Sequence, residues 1–150
     1  MDESVKIKNS EVGDSQIRER VTVHDSTIGD GCRIYENVSI KKSSISDKVD
    51  INSNSYLEKV RVEDNVQIGP NASTVGVTHN LGSDGMEFRN DNFKEIILRE
   101  GAFIGAGAVV LPGIEIGRYA VIAANSTVTR DVEPKTLWKG TPEHSTRSLD

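Results

Sequence analysis

The sequence predicts an all-β solenoid of six-residue repeats, and three observations carry that expectation. Bulky aliphatics recur at Ile7, Val12, Ile17, Val23, Ile28, Ile34, Ile40, Ile45, Ile51, Leu57, Val62 and Ile68, always five or six residues apart. After an interruption the pattern resumes at Leu98, Ile104, Val110, Ile116, Ile122 and Val128, now strictly every six. Small or β-branched residues follow most of these four places later: Cys32, Val38, Ser55, Val66, Ala72, Ala102, Ala108, Ala120 and Ser126.

Each hexapeptide reads as a short strand and a turn. The aliphatic points inward, the small residue fills a narrow corner, and stacked coils pair their strands in parallel around one aliphatic column. Ile28, Ile45 and Val62 are each 17 apart, as are Ile34, Ile51 and Ile68, which sets a three-sided coil with one shortened corner. An amphipathic helix would need apolar residues at i, i+3, i+4 and i+7, and the chain does not supply them. A run of antiparallel hairpins would need turn pairs every 8–12 residues. Only Asp30-Gly31 and Asp84-Gly85 offer that.

Composition agrees. Of the 150 residues 35% are hydrophobic and only 5% aromatic, so large rings do not build the core, and the Ile and Val content favours strands. The length suits a single domain over 1–150, with coils at about 5–74 and 98–132, a loop at 75–97 and a tail at 133–150. A net charge of −5 provides no overall field for nucleic acid or an anionic membrane, so a polyanionic ligand would need a local basic patch. Cys32 is the only cysteine, which excludes an internal disulfide and suits a reducing compartment. The first residues, Met-Asp-Glu-Ser-Val-Lys, do not read as a signal peptide, and no stretch reaches the ~20 apolar residues of a membrane span. A cytoplasmic protein is expected.

The interruption, residues 75–97, is polar and carries Gly76, Gly82 and Gly85. A long excursion inside a compact domain tends to be functional or disordered. His79 opens it, five residues after Thr74, where the next face would otherwise begin with an aliphatic. Two readings fit that position: an imidazole placed for proton transfer at the mouth of a loop, and a solvated loop histidine.

Longer strings carry a resemblance. Ile68-Gly69-Pro70-Asn71 is followed by His79 and then by the run from Phe103 to Gly113 (Phe-Ile-Gly-Ala-Gly-Ala-Val-Val-Leu-Pro-Gly). Ile116-Gly117, Val121-Ile122-Ala123-Ala124-Asn125-Ser126, Val128-Thr129-Arg130-Asp131 and Gly140-Thr141-Pro142 complete it. Over residues 50–145 the chain resembles the hexapeptide acyltransferase superfamily, in particular its galactoside, maltose and polysaccharide O-acetyltransferase branch.

The resemblance implies a left-handed parallel β-helix, although strand crossovers are normally right-handed. It also implies a homotrimer with active sites between subunits, acetyl-CoA as acetyl donor, no metal, and a sugar or polysaccharide precursor as acceptor. His79 would be the general base that takes the acceptor's proton while its oxygen attacks the thioester directly. Asn54, with Asn52 in the same Asn52-Ser53-Asn54 segment, would hold the acceptor; a stacked corner asparagine reads equally well. Ala106, Ala124, Thr129 and Arg130 match positions along the coenzyme A groove, and Lys139 joins Arg130 as a second cation for its phosphates. Corner-filling alanines and a solvated arginine are the plain alternatives.

Two departures limit the transfer. Ala123-Ala124-Asn125-Ser126 stands where the family has Gly-Ala-Gly-Ser, and repeats already begin at Ile7, where the galactoside and maltose enzymes have an acceptor-binding helical region. Acceptor identity therefore does not carry over. An N-acetyltransferase of an amino sugar and a non-catalytic scaffold are the rival functions. His24, next to the core position Val23, and His144, in the polar tail, read as solvated. The three histidines are too dispersed for a zinc site. Cys32 reads as a packed corner thiol, and Trp138, after the last coil, as a cap on its open end or a contact to the cofactor's adenine, the cap fitting better because an uncovered strand edge invites aggregation. The loop charges Asp84, Glu87, Arg89 and Asp91 fit either acceptor contact or solvation.

Overall fold

The computed structural model describes residues 1–141, and Pro142 and His144 lie outside the described residues. Among the described residues the regular structure is all strand: short segments, mostly two or three residues long, form three parallel sheets, and one antiparallel hairpin stands apart. The sheets hold seven, six and seven strands and are here called faces A, B and C in the order the chain visits them. The predicted register is the observed one. Ile28 pairs with Ile45 and Ile45 with Val62 on face B, while Ile34, Ile51 and Ile68 align on face C.

The hairpin does not interrupt the stack. Val62 pairs with Leu98, Ile68 with Ile104 and Thr74 with Val110, so the two blocks share all three faces. Inward aliphatics such as Ile34, Ile51, Leu57, Ile68, Ile104 and Ile122 are fully buried. Each contributes about 1.5–3 kcal/mol by leaving water. Every small residue singled out at a corner is buried as well. Cys32 is 1% exposed, and burial raises its thiol pKa. The first coil is the exception, with Ile7 39% exposed at the start of the stack.

Polar side chains stitch the corners. Between faces A and B, the Ser10 and Ser26 hydroxyls accept the backbone N–H of Ser26 and Ser43, and Ser43 accepts that of Val60. Each of these hydroxyls also donates to the carbonyl two residues earlier. Between faces B and C, the Asp30, Asp47 and Asp64 carboxylates accept the N–H of Asp14, Asp30 and Asp47 in turn. This ladder needs a bare backbone at Gly29, where a Cβ would lie 2.2 Å from Asp47 Oδ1.

Thr74 breaks the aliphatic column. It is fully buried between Leu57 and Val110, and its Oγ1 has no hydrogen-bond partner among the described residues. A buried hydroxyl without a partner costs about 1–3 kcal/mol. Thr74→Val keeps the shape and removes that cost, so it is expected to raise the urea midpoint at unchanged m value, by about 1 kcal/mol of stability. A lower midpoint would mean that the hydroxyl is satisfied in solution.

Candidate active site

The excursion at the A–B corner is an ordered hairpin of strands Val77–Gly82 and Gly85–Phe93. Its turn uses Asp84-Gly85, with Gly85 at φ +93°, whereas the other such pair, Asp30-Gly31, forms a solenoid corner with Gly31 at φ +71°. Gly76 anchors the base, because a Cβ there would lie 2.6 Å from the Lys59 carbonyl oxygen.

Pairing is regular from Val77–Phe93 to His79–Asp91 and then slips, with Leu81 opposite Met86. Asn80 alone therefore faces the segment 87–90, a bulge in which Arg89 adopts φ +56°. Bulges of this kind re-aim neighbouring groups. Here the bulge turns the Asn90 carbonyl oxygen to 2.9 Å from His79 Nδ1, with Asp91 Oδ1 at 3.6 Å. A carbonyl can only accept, so Nδ1 carries the proton and the lone pair resides on Nε2. Among the described residues no hydrogen bond engages Nε2. Asn92 donates to Asn80 Oδ1 at 2.8 Å, and Asn90 donates to Glu87, which ties the bulge together.

Of the loop charges, Asp91 and Glu87 thus serve the hairpin itself, and the Arg89 guanidinium lies 4.8 Å from the centre of the Phe88 ring. Asn80, Asn90 and Asn92 were not anticipated as site residues. Their only signal was the density of asparagine within the segment.

The other sequence candidates fall into two groups. Asn52 donates to the Ile68 carbonyl of the next coil at 2.9 Å, and Asn54 sits at φ +66° in a corner column with Asn37 and Asn71. Both occupy the C–A corner, across face A from the hairpin, so within one chain the structure does not bring them to His79. Ala106 and Ala124 are exposed on that same corner. Gly69 and Gly105 lie tight beneath them, where an added Cβ would meet Ala106 N at 2.7 Å and Ala124 N at 2.6 Å.

Thr129, Arg130 and Lys139 gather at the C-terminal end around a depression of about 480 Å³, which Trp138 also lines. Trp138 takes the inward position on face C, paired with Ile122, and packs half-buried against the end of the column. The Arg130 guanidinium stands 5.4 Å from the centre of its ring, and the Trp138 Nε1 is buried without a partner among the described residues. His24 is half-buried on the outer side of face A, at the end of strand Thr22–His24 and paired with Lys41. Among the described residues no three His, Cys, Asp or Glu side chains converge as a metal site would require. No helix among them is long and apolar enough to cross a membrane.

A three-faced stack of hexapeptide coils is the architecture of the hexapeptide-repeat, left-handed β-helix transferases. The chain belongs to that family: the model "GlmU-like, C-terminal hexapeptide" matches residues 1–98, and "Bacterial transferase hexapeptide (six repeats)" matches 95–130. Among curated relatives it is 36% identical over 73 residues to a galactoside O-acetyltransferase of Lactococcus lactis, covering 49% of this chain and 35% of that protein. It is 42% identical over 52 residues to a dTDP-3-amino-3,6-dideoxy-alpha-D-galactopyranose 3-N-acetyltransferase of Aneurinibacillus thermoaerophilus, covering 35% of this chain and 27% of that one. Matches to the first relatives thus span 35% and 39% of their lengths. Among solved structures, the N-acyltransferase AntD from Bacillus cereus, in complex with dTDP and coenzyme A, superposes with TM-score 0.81 at 17% identity. That likeness covers 93% of this chain and 83% of AntD and is one of fold. A hexapeptide-repeat acetyltransferase from Vibrio cholerae gives 0.55 at 26% identity, over 93% and 73% of the two chains.

Proposed function

We propose that the chain acts as a single-domain acetyl-CoA-dependent O-acetyltransferase on a sugar or polysaccharide precursor, with His79 as general base. The observation that supports this most is the fixed tautomer of His79, with Nδ1 held by the Asn90 carbonyl and Nε2 free to accept a proton. Nε2 takes the proton of the acceptor hydroxyl as its oxygen bonds to the acetyl carbonyl carbon. The carbon–sulfur bond then breaks as the imidazolium returns that proton to the sulfur, so coenzyme A leaves as the thiol. Asp91, 3.6 Å from Nδ1, stabilises the imidazolium that forms in between.

The exposed edge at Ala106 and Ala124 suits an extended pantetheine arm, and Arg130 with Lys139 supplies positive charge for its phosphates. We infer a homotrimer, with Asn52 and Asn54 reaching the acceptor of a neighbouring subunit, since their own His79 lies across face A. An outward ladder of Phe103, Val121 and Leu137, in register on face C and each more than a third exposed, favours burial against another copy. Acetyl-CoA and a reduced Cys32 fit the cytoplasm. The amino-sugar relative favours a second reading, N-acetylation with the same base.

A thiol-release assay with acetyl-CoA against a panel of sugars and amino sugars tests the proposal. Turnover of a hydroxyl acceptor is expected, and turnover confined to amines would convert O- to N-acetylation. No release with any acceptor, together with no binding of acetyl-CoA at millimolar concentration, would leave a scaffold as the function.

A further inference from the structure

The hairpin separates the candidate base from the groups that hold it. His79 and Asn80 are consecutive on strand Val77–Gly82, so their side chains leave opposite faces of the ribbon. The His79 face carries the cross-strand pairs Val77–Phe93, His79–Asp91 and Leu81–Met86. The other face carries Thr78, paired with Asn92, and then Asn80. An acceptor that reaches His79 therefore lies on the first face, and Asn80 stands behind it.

Asn80 is the one residue of its strand that faces the bulge, and its side chain engages both ends of that segment. Its Oδ1 accepts from Asn92 Nδ2 at 2.8 Å, and its Nδ2 lies 3.5 Å from Glu87 Oε2. At that length the Glu87 contact is the weaker of the two. The same Glu87 oxygen accepts from Asn90 Nδ2. Asn90 in turn presents the carbonyl that holds His79 Nδ1 at 2.9 Å. A bulge leaves its extra residues outside the regular ladder, so the aim of that carbonyl depends on side-chain ties. Those ties converge on Asn80.

We propose that Asn80 is a positioning residue for the proposed acetyl transfer: from the far face of the hairpin it braces the bulge, so that the Asn90 carbonyl keeps the His79 proton on Nδ1 and leaves Nε2 as the base. The effect on catalysis rests on the acetyl-transfer reading, whereas the brace and the tautomer stand on the hairpin alone. The tautomer of a neutral histidine is set by the hydrogen bonds that its ring nitrogens make. Without the brace the carbonyl loses its aim. A free imidazole favours the proton on Nε2, which puts a donor where the reaction needs a lone pair. Asn80 faces away from the acceptor, so its removal acts on kcat and leaves KM alone.

Nitrogen-15 NMR of the full chain at about pH 8.5, above the ordinary imidazole range, reads the tautomer directly. The His79 signals are identified by their loss in His79→Ala. Asp91 Oδ1 is the second acceptor near Nδ1, so the comparison is made in Asp91→Ala. That variant keeps the Nδ1–H form, and adding Asn80→Ala converts His79 to the mixture of a free histidine. Relaxation already in Asp91→Ala, or retention in the double variant, overturns the brace. In the thiol-release assay Asn80→Ala and Asn92→Ala each lower kcat about fivefold to tenfold, the scale of one lost hydrogen bond, at unchanged KM. Combined, they lower it no further, because both cut the same bond. Additive losses, or a loss confined to KM, also overturn the proposal. Unshifted amide signals of Val77 and Phe93 show that the base of the hairpin stays folded in each variant. An Asn80-dependent tautomer in a protein that transfers acetyl to no acceptor supports the brace and sinks the transferase reading. Full kcat in Asn80→Ala leaves the transferase reading standing and sinks the brace.

Discussion

His79→Ala is expected to lower kcat about a hundredfold or more, the contribution of a positioned general base. KM for acetyl-CoA should change little, because the imidazole sits on the hairpin while Arg130 and Lys139 lie at the C-terminal end. The circular dichroism spectrum and oligomeric state should also be unchanged, since the side chain is outside the aliphatic column and its polar contacts among the described residues are those with Asn90 and Asp91. Asp91→Asn preserves the pairing across the hairpin but removes the charge that supports imidazolium, so a smaller loss confined to kcat is expected. A kcat for His79→Ala within about threefold of the unmodified protein would exclude it as the base. A changed fold or oligomeric state in that variant would instead make it structural.

Ile51→Ala carries the largest expected stability cost, about 2–5 kcal/mol for a fully buried aliphatic replaced by alanine. Ile51 stands in the middle of the face C column, paired with Ile34 on one side and Ile68 on the other. In a repeat array each coil touches only its neighbours, so removing a middle knob weakens two interfaces together. Ile7, 39% exposed on the first coil, is the control: Ile7→Ala should cost no more than about 0.5 kcal/mol. Urea denaturation of both variants measures the gradient. Equal costs at Ile51 and Ile7 would contradict a column that is tight in the middle and open at its start.

The faces and registers were legible because a strand-and-turn hexapeptide writes its period into the sequence. The 17-residue spacing of Ile28, Ile45 and Val62 reappears as backbone pairing. Handedness left no such mark: the crossover rule points the other way, and only the longer strings from Ile68 to Asp131 indicated it. The hairpin was visible as a polar break, and Asp84-Gly85 already encoded its turn. The bulge was not, because residues 87–90 opposite Asn80 follow no period, and the group that orients His79 is a backbone carbonyl, which no residue type announces. Asn54 illustrates the converse difficulty. An asparagine that suits a positive-φ corner and one that binds a substrate look alike in sequence, and Asn54 has the corner conformation at φ +66°.

The three edges of the coil do not carry equal freedom. From face C to face A the inward residues are six apart in nearly every coil, as from Ile34 to Ile40 or Ile104 to Val110. From face A to face B the count is five between Ile40 and Ile45, 24 between Thr74 and Leu98, six between Val110 and Ile116, and four between Val128 and Val132. All of this variation is absorbed at one edge while the pairing on either side stays in step. That edge behaves as a cassette port. A segment of different length or chemistry can be exchanged there without re-indexing the coils, so selectivity for an acceptor can drift while the scaffold stays fixed. A chimera that carries another hairpin between Val75 and Ile96 should therefore melt close to the parent.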